Sequence, residues 1–481
     1  MALYKKIYGL IFILLFFSQF VIVIIPGTGA GNIAVGLIGV LLFYLFLICS
    51  NYKKFLVFVK DLIKIPIIKV FFIYIIYVTV SMIIHKFLGH YKAPSYFYWA
   101  RIYRFYIYSI PIFFFPALGL FCNIKLTHFV KWLYTLFIIV FITGIIQYLG
   151  LILNIGFIDT IISFFTNARA TLYIDGGESV KSLLRVFSIF NEPSGFGQFI
   201  FIFMPIITTL SVSKYKIFKN NLVNNISKKT MLFLMFINLI LTKSPIYLVL
   251  CTIEALILFT IINYHTIKKH FVRICIICII SVLIIPIIYS SFQNQIEQSY
   301  LGRIINTIQN LTNFQSFVLA ESSLATRIVN YSIQLVSLKY NLLFGAGLYN
   351  IDVFLNDKYL QISPLPFTME NIAFYYNSSF VSATNKSIVW TSLAEFGLVG
   401  FFLYVWFIFK LFKSTIKMLK LKIYSCIEQE LLFGILGSLI TLSVISFYNL
   451  GIDSPLLWII YGLVVAYLYN TKSLNKEILN V

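Results

Sequence analysis

The chain is built from apolar runs that are each about long enough to cross a lipid bilayer. A helix of roughly 20 apolar residues spans the hydrocarbon layer, and such runs recur from one end of the sequence to the other. Twelve can be counted, at about 7–25, 33–49, 67–84, 102–121, 130–153, 195–212, 231–242, 245–262, 271–290, 388–409, 429–449 and 455–470. Composition agrees: 60% of the residues are hydrophobic and 11% are charged, where a soluble domain carries about a quarter charged residues. A soluble multidomain protein is excluded, and the fold class predicted is an all-α polytopic integral membrane protein. The first run follows Lys5 and Lys6 and precedes a GTGA stretch, as in a signal peptide. Its length, and the second run directly behind it, predict a retained first helix instead. The 231–242 run is short, so it is predicted to pair with the next helix in a hairpin turning at Thr242-Lys243-Ser244-Pro245.

Twelve spans put both termini on one side of the membrane. If that side is the cytoplasm, 24 of the 37 basic residues fall in inner segments, which hold few acids. Positive charge concentrates in cytoplasmic loops, so both termini are predicted to be cytoplasmic. The formal charge of +21 is then topology, and no nucleic-acid partner is implied. Arginine behaves differently from lysine. Six of the seven arginines, Arg101, Arg104, Arg169, Arg185, Arg303 and Arg327, fall on or near the outer side, and only Arg273 falls inside. A guanidinium presents a planar fork of donors suited to phosphate and carboxylate, so the bias fits an anionic ligand outside. Local salt bridges with Glu192, Glu297 and Glu321 are the alternative.

The spans divide the chain into a nine-helix segment, 1–290, with an outer loop at about 154–194; a large outer loop, 291–387; and a three-helix segment, 388–481. Long loops in a compact membrane protein are usually functional. The inner loops are short and hold no Gly-rich phosphate loop, which argues against ATP-driven work. The six cysteines avoid the long outer loops, and Cys275-Ile-Ile-Cys278 lies inside an apolar run with no second pair. The five histidines are scattered, so no metal site is predicted.

Three stretches break the apolar monotony. In RVFSIFNEPSGFGQF, 185–199, Pro193 suits the first turn of a helix and Asn191 is a cap candidate. The free N–H groups of that helix start, with Arg185 nearby, could hold an anion, while Glu192 orients the arginine or accepts a proton. Gly195 and Gly197 permit close approach. The alternative is an ordinary capped helix with an interfacial Arg–Glu pair. In SSLATRIVNYSIQLVSLKYNLLFGAGLYN, 322–350, Arg327, Tyr331, Gln334 and Leu338 share a helical face, and Gly345-Ala346-Gly347 closes with a sharp turn. In TNKSIVWTSLAEFGLVGFFLYVWF, 384–407, Glu395 lies within the first turns of a span, followed by Gly397 and Gly400. An acid at membrane depth marks function or pairs with a basic residue.

Together these stretches resemble the O-antigen polymerase and ligase superfamily of polytopic membrane glycosyltransferases. The Arg-then-Glu-Pro-Ser element (Arg185, Glu192, Pro193, Ser194) resembles the polymerase pattern. Arg327 with Gly345 and Gly347, and Asn385 with Glu395 and Gly397, resemble the shared second half. Thr242-Lys243-Ser244 resembles a further turn, with Pro245 where an arginine often follows. Thr384 stands before Asn385 where the ligases carry a histidine, which favours a polymerase. The resemblance implies a GT-C-like fold and a metal-independent, cofactor-free enzyme in the bacterial inner membrane. Such an enzyme transfers a growing O-antigen or capsule glycan from undecaprenyl diphosphate to a lipid-linked repeat unit. Arg185, Arg327, Glu192 and Glu395 are then the catalytic candidates. Arg169, Ser194, Arg303 and Asn385 are the substrate-binding candidates. Lipid-linked oligosaccharides, membrane lipids and a chain-length regulator are the implied partners. A ligase and a lipid-linked-sugar flippase are the competing functions.

Overall fold

The computed structural model describes residues 2–16, 21–23, 32–88, 95–158, 161, 174–175, 178–179, 186–190, 193–217, 221–262, 342–347, 387–421, 423–447, 450 and 454–479. Within them run α1 (Ala2–Leu14), α2 (Val35–Ile63), α3 (Pro66–Phe87), α4 (Ser95–Phe121), α5 (Leu126–Ile152), α6 (Pro193–Val212), α7 (Asn221–Leu241), α8 (Pro245–Ile262), α9 (Ile388–Leu421), α10 (Cys426–Ser446) and α11 (Pro455–Leu479). Six of these helices, α2, α3, α5, α6, α9 and α10, are long and apolar enough to cross a membrane. Two short hairpins, β1 (Val21–Val23) with β2 (Asn32–Ala34) and β3 (Ile174–Asp175) with β4 (Glu178–Ser179), complete the described elements.

Several boundaries differ from the sequence-based expectation, each for a local reason. The first apolar run is not one helix. α1 stops at Leu14, Leu15 and Phe16 turn, and β1 pairs antiparallel with β2, Ile22 opposite Ile33. The β-branched Val21-Ile22-Val23 favours extended backbone, and the sequence behind it holds Pro26 and three glycines, all helix breakers. Hydropathy sees only that the run is apolar. In α2 the helix does not end with its apolar run. It breaks at Asn51 (φ −160°, ψ 70°) and restarts, with Asn51 Oδ1 accepting the Lys54 N–H at 3.2 Å. Asn51 thus caps a second helix over residues 52–63. α7 starts ten residues before the predicted run, with a polar first half. The hairpin behind it turns where expected: Lys243 takes φ 47°, and Pro245 opens α8.

One continuous core joins the beginning of the chain to its end. α11 packs chiefly on α4, α10 on α6, and α9 on α3. Phe71 of α3, Phe113 of α4, Phe407 of α9 and Trp458 of α11 meet in one aromatic cluster, with ring centroids 4.4–5.9 Å apart. Such offset and edge contacts add to burial. The outward faces are apolar too: in α3, Ile73, Ile76, Val80, Ile83 and Ile84 are exposed opposite the buried Phe71, Tyr74, Val78 and Met82. A helix apolar on both faces matches a hydrocarbon surround, where water would select a polar outer face.

The two ends of the bundle differ. At one end Tyr4 hydrogen-bonds Cys122 Sγ at 3.0 Å, Phe58 packs on both Phe121 and Tyr469, and Lys472 Nζ donates to Asp61 O at 3.0 Å. The lysines of 53–69, 125–131 and 410–420 flank helix ends on this side. At the other end Ser387 bridges Leu450, and Val186 N–H donates to Leu241 O at 3.0 Å. The start of α1 and the described end of α11 therefore share the lysine-rich end.

Candidate functional site

A break in α9 builds a local structure held by a second segment of the chain. Gly397 has φ 64°, ψ −168°, a conformation open essentially to glycine alone. It interrupts the helical ladder and leaves backbone groups without intrahelical partners. In a membrane such groups must be satisfied by other protein. The segment Leu342–Gly347 does this with four backbone hydrogen bonds. Ala346 N–H donates to Ala394 O and Gly347 N–H to Glu395 O, both at 2.8 Å. Leu398 N–H donates to Leu342 O at 2.8 Å and Val399 N–H to Leu343 O at 3.2 Å. Gly345 (φ 70°) and Gly347 (φ 92°) give the segment its shape. The two chains touch so closely that a Cβ on Gly345 would lie 2.4 Å from Glu395 O, and one on Gly397 would lie 2.4 Å from Leu343 O. Two motifs some fifty residues apart in sequence are thus one object.

Polar side chains gather around this break. Glu395 is fully buried. Tyr74 of α3 lies beside Ser392, Glu395, Tyr404 and Tyr106, Tyr404 and Tyr461 hydroxyls are 3.2 Å apart, and Tyr77 donates to Phe396 O at 2.7 Å. Tyr106 and Thr79 hydroxyls meet at 2.6 Å. α3, α4, α9 and α11 each contribute, so the cluster exists only in the assembled bundle.

The second constellation lies before α6. Residues 186–190 turn back into the protein and are buried. Gln147 of α5 holds the turn, its Oε1 accepting the N–H groups of Phe187 and Ser188, both at 2.9 Å. The Ser188 hydroxyl donates to Val140 O at 2.6 Å, and Ser188 takes φ 51°. Pro193 opens α6, as expected. Gly197 allows α8 to approach, since a Cβ there would meet the Tyr247 ring at 2.8 Å. The bond from Val186 to Leu241 sets this turn directly against the Thr242–Ser244 hairpin.

The helices that carry the two constellations start at the same end of the bundle. Ser387, just before α9, donates its hydroxyl to Ser446 O at the end of α10. Thr441, five residues earlier in α10, faces Ile202 in α6. Antiparallel packing of α10 on α6 therefore brings the start of α6 level with the start of α9, away from the lysine-rich end.

Of the residues predicted from sequence, Glu395 and Ser194 are placed: Glu395 at the break, Ser194 half-buried in the first turn of α6. Arg169, Arg185, Glu192, Arg303, Arg327 and Asn385 lie outside the described residues, as do Asn191, Tyr331, Gln334, Leu338 and the Cys275–Cys278 pair. The side chains of Arg101 and Arg104 are likewise outside. Among the described residues no group of acids, histidines and cysteines could hold a metal ion.

Two polar residues escaped the sequence reading. Gln147 is a lone amide in an apolar stretch of α5, and it organises the 186–190 turn. Glu254 of α8 is 8% exposed, and among the described residues neither carboxyl oxygen has a hydrogen-bond partner. It shares a face with Tyr247 and Cys251 at helical spacing. An acid in the middle of an 18-residue apolar helix was the available signal. No family model and no curated protein sequence matches the chain.

Proposed function

We propose that the chain is a polysaccharide polymerase, a metal-independent membrane glycosyltransferase acting on lipid-linked substrates at the outer face of the bacterial cytoplasmic membrane. In this reading the chain crosses twelve times in a GT-C-like arrangement, the first crossing interrupted after α1, with both termini cytoplasmic. The observation that carries it is the pairing of Gly345-Ala346-Gly347 with Glu395-Phe396-Gly397. The resemblance rests on these motifs as separate strings, and their hydrogen-bonded union gives them a shared structural reason. The start of α9, nine residues before Gly397, is level with the start of α6 at the end opposite the lysines, which agrees with a site that opens outward.

The reaction joins two lipid-linked glycans. A hydroxyl of the acceptor repeat unit attacks the anomeric carbon of the donor sugar. The bond from that carbon to the diphosphate oxygen breaks, undecaprenyl diphosphate leaves with the electron pair, and the hydroxyl proton passes to a base. Charge grows on the leaving diphosphate, so fixed cations and helix N-termini lower the barrier. Arg185 and Arg327 take that role, with Arg169 and Arg303 as secondary cations. Ser194, in the first turn of α6, and Asn385, just before α9, contact substrate. Glu192 is the base or orients Arg185. Glu395 is closed off from solvent, which suits it to positioning the loop that carries Arg327 better than to meeting an acceptor. No nucleotide or metal is required, because the diphosphate already activates the donor.

The test is genetic. Deletion of the gene should collapse a ladder of surface polysaccharide to a single repeat unit, and the wild-type gene should restore it. Arg327→Ala and Arg185→Lys, expressed at normal level, should not. Accumulation of long lipid-linked chains with no repeats transferred would mean a ligase. Loss of all repeats with undecorated lipid-linked units trapped inside would mean a flippase. An unchanged ladder, in a strain with no second polymerase, sinks the glycan assignment.

A further inference from the structure

Segment 342–347 belongs to what the sequence makes the large outer loop, 291–387, yet it is wedged into the break of α9. Two rulers fix how deep that break lies. The first is α9 itself. Its second half is continuous helix, and Lys410 stands over the Trp406 ring, 6.0 Å from its centroid. A tryptophan with a lysine marks a membrane–water boundary. Leu398 comes twelve residues before Lys410, so about 18 Å of helix separates it from that boundary, within a hydrocarbon layer about 30 Å thick. The second ruler is α3. Tyr77, in the middle of that helix, donates to Phe396 O at 2.7 Å. The break is therefore level with the middle of a helix long and apolar enough to cross the membrane.

The side chains of the segment sort by face. Gly345, Ala346 and Gly347 are buried against α9, whereas Leu342, Leu343 and Phe344 are 51–61% exposed. The exposed three carry no charge and no hydroxyl. They continue an apolar surface that α9 already presents. Val399, whose N–H donates to Leu343 O at 3.2 Å, is exposed, and Phe402, Trp406 and Phe409 extend the same stripe at helical spacing. Water around this segment would wet three adjacent large apolar side chains, and an aqueous pore would line them with polar groups. Irregular backbone is tolerated at membrane depth where other protein takes up its hydrogen bonds. The bonds from α9 to Leu342 O and Leu343 O, and those from the Ala346 and Gly347 N–H groups to α9, meet that condition.

We propose that 342–347 is a re-entrant segment. The outer loop returns into the bilayer, and Leu342, Leu343 and Phe344 lie against the acyl chains of the membrane at the depth of Gly397. The partner of this surface is bilayer hydrocarbon, because the surface is continuous with the lipid-facing stripe of α9. Lipid as well as α9 then holds the loop, whatever reaction the protein carries out.

The test places one nitroxide at a time on the full-length, cysteine-free protein in phospholipid liposomes, at Leu342→Cys, Leu343→Cys or Phe344→Cys. Power-saturation EPR compares collisions with oxygen, which concentrates in hydrocarbon, and with a neutral nickel chelate, which stays in water. Phe402→Cys supplies the lipid reference and Gly156→Cys the water reference. The oxygen-to-chelate ratio at 342, 343 and 344 should match that at 402 and exceed that at 156 several-fold. A ratio equal to that at 156 overturns the proposal, because the segment is then in water. So does shielding from both reagents, because protein then covers it. Should the spin-labelled variants misfold, photoreactive benzoylphenylalanine in place of Phe344, a position already aromatic, decides the matter. Adducts with phospholipid are expected, and adducts only within the chain or between two copies overturn the proposal.

Discussion

At the scale of single residues, Gly397 and Gly345 matter for what they lack. Each has positive φ and each faces backbone of the other segment at a distance no Cβ tolerates. Gly397→Ala and Gly345→Ala are each expected to cost about 1–3 kcal/mol from backbone strain alone, with the steric clash in addition. Because each clashes with the segment that holds the other, the double variant should cost less than the sum. Thermal unfolding of the purified protein in detergent measures this. Gln147 acts by the opposite logic, through what it offers. Gln147→Leu keeps the bulk but strands the N–H groups of Phe187 and Ser188, at about 1–3 kcal/mol for each buried donor left unmade. Gln147→Glu keeps the accepting oxygen and should unfold closer to wild type in the same assay. That Gln147 mattered was not legible in the sequence, because its partners are forty residues away and bind through backbone.

At the scale of elements, helix ends and breaks carry the design. Lys228 of α7 reaches across to the end of α6, where its Nζ donates to Ser213 O at 2.6 Å and to Tyr215 O at 2.5 Å. It is 6% exposed. The carbonyls at a helix C-terminus have no intrahelical donors and bear partial negative charge, so a buried ammonium satisfies them. Lys228→Met leaves two partly exposed acceptors without their charged donor and is expected to destabilise by about 1 kcal/mol, read as a lower melting temperature. Asn51→Ala removes the cap that restarts α2, at about 1 kcal/mol. The loss should be local, seen as faster hydrogen exchange over residues 52–63 with the rest of the bundle unchanged. Starts with a chemical signal were legible: Pro193 and Pro245 open helices where the sequence reading put them. The break in α9 was not. Glycines 397 and 400 invite close packing as readily as a kink, and the choice depends on a segment from the large loop arriving to take up the freed hydrogen bonds.

At the scale of the whole molecule, the two ends have opposite character. With the lysine-rich end in the cytoplasm, a single cysteine in a cysteine-free background reports the orientation. Gly156→Cys, at an exposed position with open space around it, should react with a membrane-impermeant maleimide added to intact spheroplasts. Lys417→Cys, at the lysine-rich end, should react only after permeabilisation. The reverse pattern would invert the topology and move the proposed site to the cytoplasm.

The sequence by itself determined the class of fold and the material of the surface. Apolar runs of bilayer length, separated by lysine-bearing or proline-bearing turns, leave the backbone no satisfactory state in a membrane except helices. It also marked which short stretches depart from that pattern. Tertiary structure decided which of those stretches meet. Hydropathy is blind to pairing between helices, because most lipid-facing and core-facing residues are alike apolar. Only packing brings α10 between α6 and α9, sets the turn at 186–190 against the 242–244 hairpin, and docks Gly345-Ala346-Gly347 on the broken backbone at Gly397. The first apolar run shows the limit most clearly. Its hydropathy is that of a spanning helix, yet Val21–Val23 leaves the helix to pair with Asn32–Ala34, because β-branched residues beside a proline and three glycines gain more from a partner strand than from another helical turn.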